Sequence, residues 1–163
     1  MNQQANQTIN IENSAIDNNE KSREKTFMRF FTELTAENLI QINEIFAPDA
    51  HFKDPFNDVY GIDAIKTVFT HMFDTTERPK FRINHYASNQ QILFIQWQFS
   101  FGKNKTMWAI DGSSMVTFDN NDQVKEHIDY WDPAEQIYSK VGLLRPLMNF
   151  LKSRLTASND YSK

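Results

Sequence analysis

Residues Gln91–Phe101 read QILFIQWQFSF and have the clearest periodicity in the chain. One set of large apolar side chains recurs at every second position: Leu93, Ile95, Trp97, Phe99 and Phe101. The polar side chains of Gln96, Gln98 and Ser100 lie on the opposite face. Alternation of period two is typical of a strand with one buried face. We therefore predict a long strand here, with similar runs at about 80–87, 106–118 and 123–131.

The segments that separate these four runs favour tight turns. They are Ser88-Asn89, Gly102-Lys103-Asn104 and Asn120-Asn121. Short turns between long strands predict an antiparallel meander.

Upstream of the meander, the apolar residues recur at helical spacing. Three such stretches are found, at 27–34, 39–46 and 62–73. Thr35 suits the N-cap of the second helix, and Pro48 is expected to end it. A short extended piece is predicted at 51–54, before Pro55, and a turn at Tyr60-Gly61.

Downstream of the meander, Asp132-Pro133-Ala134-Glu135 is a strong helix start, with Asp at the N-cap, Pro at N1 and Glu at N3. An apolar stripe then extends to Leu155, and Gly142 and Pro146 are expected to bend the helix. This helix could pack on the sheet, cover a cavity or form a dimer arm. A contact with lipid through Leu147 and Leu151 is a lesser alternative.

This order of elements predicts an α+β domain. We expect a cone-shaped, curved antiparallel sheet packed on three N-terminal helices, with an extra C-terminal helix. Residues 1–21 are rich in Asn and Gln and are expected to be a disordered tail, as are 156–163. The folded domain is predicted at 22–155. A cavity between the sheet and the helices would suit a small, largely apolar ligand.

The composition of the 163 residues excludes several classes of function. The absence of cysteine rules out disulfides and Cys nucleophiles, and a net charge of -4 without a basic run argues against nucleic-acid binding. No apolar run is long enough to span a membrane, and no signal peptide is recognisable. We therefore expect a cytoplasmic protein.

Four stretches carry a resemblance to a known superfamily. They are residues 46–56 (FAPDAHFKDPF), 61–65 (GIDAI) followed by Phe69, 115–119 (MVTFD) and 124–131 (VKEHIDYW). Over about 24–132 the chain resembles the SnoaL-like and ketosteroid-isomerase-like families of the nuclear transport factor two superfamily. The resemblance implies a curved sheet with three N-terminal helices, and commonly a homodimer packed through the sheet. It implies no single activity.

The match to ketosteroid isomerase is partial. Asp54 falls on the position of that enzyme's proton-shuttling carboxylate. Phe30 stands at the position of its tyrosine donor, and Ser114 at that of its protonated acid. Since Phe30 has no hydrogen-bond donor and a missing donor typically costs on the order of 10²–10³ in rate, we do not expect ketosteroid isomerisation.

Asp54 has two interpretations. It could be a general base in a mostly apolar cavity. It could instead cap the turn that begins at Asp54-Pro55.

His127, Asp129 and Trp131 share one face of the last strand, because residues i and i+2 point the same way. An imidazole beside a carboxylate can serve as a base, and SnoaL-type cyclases resemble this in using a pocket Asp with a nearby His. The alternative is a solvated strand face. Ser114 and Tyr130 are candidate hydrogen-bond donors, with Tyr130 the weaker because it lies on the face opposite Trp131.

The aromatic residues of the strands either form a ligand wall or belong to the core. We predict a ligand-binding set of Phe30, Trp97, Trp108, Ser114 and Trp131. A metal site built from His51, Asp54, His127 and Asp129 is conceivable, but no spacing is diagnostic. We therefore expect neither a metal nor a cofactor.

The sequence thus predicts a domain that binds a small apolar or amphipathic molecule. A cofactor-free isomerase, cyclase or dehydratase is one possibility, with Asp54, or Asp129 with His127, as the base. The alternative is a non-catalytic ligand-binding or interaction module of the same fold.

Overall fold

The computed structural model describes residues 20–103, 105–138 and Pro146. The helices are α1 (Glu20–Thr32), a 3₁₀ turn (Leu39–Gln41) that runs into α2 (Ile42–Ile45), α3 (Ile62–Thr75) and α4 (Pro133–Gln136). The strands are β1 (Phe46–Lys53), β2 (Asp58–Tyr60), β3 (Glu77–Asn89), β4 (Ile92–Lys103), β5 (Thr106–Phe118) and β6 (Val124–Tyr130).

All six strands form one curved sheet in the order β2-β1-β6-β5-β4-β3. The α+β class is confirmed, and β3 to β6 form the predicted antiparallel meander. One pair departs from the expected antiparallel sheet, because β1 runs parallel to β6. Alternation within a strand contains no information about the direction of a distant partner.

The first strand is longer than the sequence predicts. The preceding helix ends at Ile45, so Pro48 lies inside β1 and does not end the helix as expected. The pairing of β1 with β6 is irregular between Phe46 and His51. A proline is tolerated in such a stretch, because its missing N–H removes no regular ladder bond.

Thr35 is not the N-cap of the second helix, because the 3₁₀ helix begins after Asn38; Thr35 stabilises the turn that precedes it. The hydroxyl of Thr35 accepts a hydrogen bond from the Asn38 amide at 3.2 Å, and the Asn38 side-chain oxygen accepts one from the Thr35 amide at 2.7 Å. This reciprocal pair satisfies two backbone donors where the chain changes direction.

The predicted turn at Tyr60-Gly61 connects β2 with α3. Gly61 has a φ of +85°, and its amide donates to the Ala50 carbonyl at 2.8 Å. Residues other than glycine rarely adopt this conformation. The turn therefore fixes α3 against β1.

The core lies between the inner face of the sheet and helices α1 and α3. Leu93, Ile95, Trp97 and Phe101 of β4 are buried on that face, as the alternation predicts, whereas Phe94 is 53% exposed on the other. We call the second side of the sheet the outer face.

The predicted helix start after β6 is confirmed. The Asp132 carboxylate accepts hydrogen bonds from the amides of Ala134 and Glu135 at 2.8 and 3.2 Å. The α-helix ends at Gln136, with Ile137 at its C-cap. Beyond Tyr138 and apart from Pro146, the predicted continuation to Leu155 lies outside the described residues, as do the predicted lipid contact and the C-terminal tail. Residues 1–19 of the predicted N-terminal tail also lie outside them. Within the described ranges, no helix is long and apolar enough to cross a membrane.

Candidate functional site

An aromatic cavity opens between the inner face of the sheet and α3. It encloses about 860 Å³, its open mouth included. Eight aromatic residues line it: Phe52, Phe56, Phe69, Phe81, Trp97, Phe99, Phe101 and Trp131. The carboxylates of Asp54 and Asp129 lie among them. A concave, mostly apolar space with a few polar groups is typical of a small-molecule site. We call it the main cavity.

A smaller inner compartment adjoins the main cavity. Phe31, Ser114 and His127 line it, and it shares Phe69, Phe81, Trp97 and Asp129 with the main cavity. Asp129 therefore lies where the two spaces meet.

The carboxylate of Asp129 is held by one of its two oxygens. Oδ1 accepts a hydrogen bond from the Ser114 hydroxyl at 2.5 Å and lies 2.8 Å from Nε2 of His127. Among the described residues, no hydrogen bond reaches Oδ2, and the side chain is 15% exposed. Oδ2 is therefore the oxygen that is free to accept a hydrogen bond from a ligand in the main cavity.

Ser114 connects Asp129 to the neighbouring strand. It is 1% exposed, and its Oγ accepts a hydrogen bond from Nε1 of Trp97 at 2.7 Å. Because the hydroxyl proton points to Asp129, the lone pairs of Oγ remain for the indole. The result is a chain of hydrogen bonds from Trp97 through Ser114 to Asp129.

His127 is 3% exposed, so its side chain does not belong to a solvated strand face. Four phenylalanine rings surround it with centroids 5.2–6.1 Å from its own: Phe27, Phe31, Phe46 and Phe52. A carboxylate only accepts hydrogen bonds, so Nε2 must carry the proton. Nδ1 is buried and has no partner among the described residues.

An irregularity in β6 explains why both Val124 and His127 point inward. Phe118 of β5 is opposite Val124, but the preceding Thr117 is opposite Glu126. The extra residue, Lys125, shifts the alternation by one position, as a β-bulge does.

Asp54 adopts the geometry of its second interpretation. Its Oδ1 accepts from the amides of Phe56 and Asn57 at 2.6 and 2.7 Å. The Asn57 side-chain amide adds contacts to Oδ1 and Oδ2 at 3.1 and 2.9 Å. The carboxylate caps this turn while lining the main cavity, and a catalytic role for it stays a prediction.

The three tryptophans predicted to bind a ligand do not all line the cavity. Trp131 lines the mouth of the main cavity, edge-to-face with Phe56 at 5.3 Å, and Trp97 lines both spaces. Trp108 is absent from the described lining of either space; its ring is near-parallel to that of Phe101 at 6.4 Å.

Phe30 and Tyr130 lie away from the described cavity lining. Phe30 is buried and packs on Phe31 at 5.2 Å, and Phe31 is the residue that lines the inner compartment. Tyr130 is 54% exposed. It lies on the face opposite Trp131, as the alternation predicts.

His51 is separated from the other residues of the hypothetical metal set. Its ring nitrogens lie 3.1 Å from Glu126 Oε1 and 2.8 Å from Asp58 Oδ1, away from the cavity. The hydrogen bond to Asp58 raises the pKa of His51; burial opposes this shift and Glu126 adds to it. In the described part of the chain, no three His, Asp or Glu residues are arranged to hold a metal ion.

Most of the aromatic cavity wall does not follow from the sequence. Phe31 and Phe69 fall in stretches of helical spacing, and Phe81 falls in a strand run. Their spacing indicates that they are buried, but a core position and a cavity wall produce the same periodicity.

Comparison with known proteins identifies the family. The family model of the SnoaL-like domain matches residues 27–127, and the chain therefore belongs to the SnoaL-like family. No curated protein matches the sequence.

Several solved structures share the fold. A putative SnoaL-like polyketide cyclase from Shewanella putrefaciens CN-32 is 18% identical, with a TM-score of 0.62 over 80% of this chain and 90% of that one. A hypothetical protein with a ketosteroid isomerase-like fold from Catenulispora acidiphila DSM 44928, in complex with trimethylamine, is 11% identical, with a TM-score of 0.63 over 75% of this chain and 93% of that one.

The epoxide hydrolase/cyclase-like enzyme SalBIII has a role in pyran ring formation in the polyether salinomycin. It is 16% identical, with a TM-score of 0.61 over 69% of this chain and 92% of that one. At these identities the likeness establishes the nuclear transport factor two-like fold alone.

Proposed function

We propose that the protein binds a small, largely apolar molecule in the main cavity and that Asp129 acts on it as a general base. The reaction class is cofactor-free proton transfer, as in isomerisation, aldol-type cyclisation or dehydration. One observation supports this above all: Oδ1 of Asp129 is held by Ser114 and His127, whereas Oδ2 has no hydrogen-bond partner among the described residues and the side chain lines an aromatic cavity.

This arrangement suits a base because it fixes the direction of the reactive oxygen. The two donors on Oδ1 orient the carboxylate, so that Oδ2 can approach an acidic C–H group without a search over rotamers. The Asp129 side chain is 15% exposed between aromatic walls, so the carboxylate is largely removed from bulk water. In the proton-transfer step the C–H bond breaks, its proton bonds to Oδ2, and the electron pair moves onto the adjacent carbonyl of the substrate.

Ser114 acts here as a positioning residue. Its proton is already donated to Asp129, so the hydroxyl does not donate to a substrate oxyanion while that bond is intact. His127 likewise holds the carboxylate through Nε2.

Deuterium exchange tests the proposal without knowledge of the natural substrate. The probe is 2-tetralone, an apolar ketone with an acidic C–H group, in D₂O and observed by proton NMR. We expect the protein to accelerate exchange at C1, and Asp129→Asn to reduce the acceleration by about 10²-fold. Asp54→Asn serves as the matched control and should retain it.

The alternative is a binding module without catalysis. The absence of a hydroxyl at Phe30 and the commitment of the Asp54 carboxylate to its turn favour it. Binding of 2-tetralone without faster exchange would support this alternative. Exchange that depends on Asp54 and not on Asp129 would identify Asp54 as the general base.

We further propose a homodimer packed through the outer face. An apolar row crosses four strands there, from Ala87 to Phe94, Met115 and Ile128, which are successive register partners. An apolar row of this kind on a sheet face suits an interface between copies. The cytoplasmic location expected from the sequence stays a prediction.

A further inference from the structure

Every charged side chain in the described lining of the main cavity is a carboxylate, apart from one histidine. Asp54 and Asp129 contribute carboxylates, and no lysine or arginine occurs among the described lining residues. His71 on α3, itself exposed, is the further titratable group there.

His127 does not cancel the charge of Asp129. With the proton on Nε2, the neutral imidazole leaves Nδ1 as a bare acceptor among phenylalanine rings. A second proton on Nδ1 would bury an N–H donor, and a positive charge, without a partner among the described residues. That is costly in such an environment. The contacts in the structure therefore account for one proton on the imidazole, on Nε2, and no described lysine or arginine of the cavity lining offsets the carboxylate.

The aromatic walls of the cavity favour a positively charged ligand, as the carboxylates do. The faces of aromatic rings carry a negative quadrupole, and a cation within about 6 Å of a ring centroid is attracted to it. Trp97 and Trp131 both line the cavity together with Asp129, and tryptophan is the strongest ring for this contact.

We infer that the ligand of this cavity carries a positive charge on an apolar body, as an alkylammonium or a protonated amine does. This inference rests on the proposed binding site and names its substrate class. The positive charge needs only to lie within the cavity, where two carboxylates and the ring faces act on it together, and Oδ2 remains able to accept a proton. An anion would be repelled by two carboxylates, and an uncharged ligand would leave their charge uncompensated.

Three probes of nearly equal shape separate charge from size. Phenyltrimethylammonium is the cation, tert-butylbenzene is its uncharged isostere, and 2-methyl-2-phenylpropanoate is an anion of similar bulk. Binding to the full chain is followed by tryptophan fluorescence at fixed ionic strength. We expect the cation to bind about tenfold more tightly than the uncharged isostere, and the anion to bind most weakly.

Two variants test whether the preference for the cation depends on Asp129. Asp129→Asn preserves the shape of the side chain and should remove most of the preference for the cation. Asp63→Asn makes the same change of charge on the exposed first turn of α3, outside the described cavity lining, and should retain the preference.

The outcomes separate this inference from the proposed function. If tert-butylbenzene binds as tightly as the cation, the charge preference is wrong and the apolar site stands. If none of the probes binds, both proposals are wrong. A cation preference that persists unchanged in Asp129→Asn would contradict the role of this carboxylate.

Discussion

The indole of Trp97 occupies the space that a side chain on Gly112 would need. The two residues are register partners on β4 and β5, and a β-carbon on Gly112 would lie 2.4 Å from two atoms of the indole. The same indole donates to Ser114, which in turn holds Asp129. The glycine therefore lets the ring lie flat on the sheet and reach the serine.

Gly112→Ala should displace this ring. We expect a loss of about 1–3 kcal/mol in the free energy of unfolding, as for other overpacked cores. Urea denaturation measures it. Ser113→Ala, one position away and exposed, is the matched control and should change stability little. Adding Trp97→Phe to Gly112→Ala should recover part of the loss; no recovery would show that the steric explanation is wrong.

Asp54→Asn should weaken the turn at 54–57. The amide that replaces one carboxylate oxygen cannot accept from the Asn57 side chain, and we expect a loss of about 1 kcal/mol. Thermal unfolding measures the loss. The exchange of 2-tetralone should continue in this variant. A variant with unchanged melting temperature and no exchange would instead identify Asp54 as the base.

The sequence predicted the parts of the fold that depend on local periodicity. The long β4 strand followed from the alternation around Trp97, and the α4 cap from Asp132 and Pro133. The span of β1 did not follow, because Pro48 resembles a helix stop when its irregular pairing with β6 is unknown. Strand pairing between distant segments is set by tertiary packing, which no window of sequence contains.

The candidate site was predictable in a similar way. Alternation placed His127, Asp129 and Trp131 together, and the last two do line the main cavity. The hydrogen bond that commits Ser114 to Asp129 was not predictable, because it depends on the register between β5 and β6. The burial of His127 beside Val124 depends on the bulge at Lys125, which leaves no distinct mark in the sequence.

The pH dependence of stability should reflect His51. Its hydrogen bond to Asp58, with Glu126 adding to the effect, raises the pKa of His51 in the folded state above the value of about 6.5 in the unfolded chain. The stabilisation is therefore complete below pH of about 6.5 and is lost as the pH rises through the higher folded value.

Urea denaturation from mildly acidic to mildly alkaline pH tests this sign. His51→Gln should flatten the decline of stability above neutrality, whereas His85→Gln, at an exposed site, should leave the decline in place. A decline of equal size in the His51 variant would mean that another group causes it.

Phe94→Lys should dissociate the proposed homodimer. A charge in the middle of the apolar row would be buried between two copies, at a cost that the interface cannot offset. Sedimentation velocity measures the change from dimer to monomer. Ile40→Lys is the control, because Ile40 is also exposed but lies on the 3₁₀ turn. A wild-type protein that sediments as a monomer would contradict the proposed interface.

The three tryptophans provide the most direct test of where the ligand binds. Trp97 and Trp131 line the main cavity, whereas Trp108 is not among its described lining residues. The measurement is a titration of ¹⁵N-labelled protein with 2-tetralone, followed by the three indole N–H resonances. We expect the resonances of Trp97 and Trp131 to shift in a saturable way while that of Trp108 stays in place. A shift of Trp108 alone, or no saturable shift of Trp97, would contradict the assignment of the cavity beside Asp129 as the functional site.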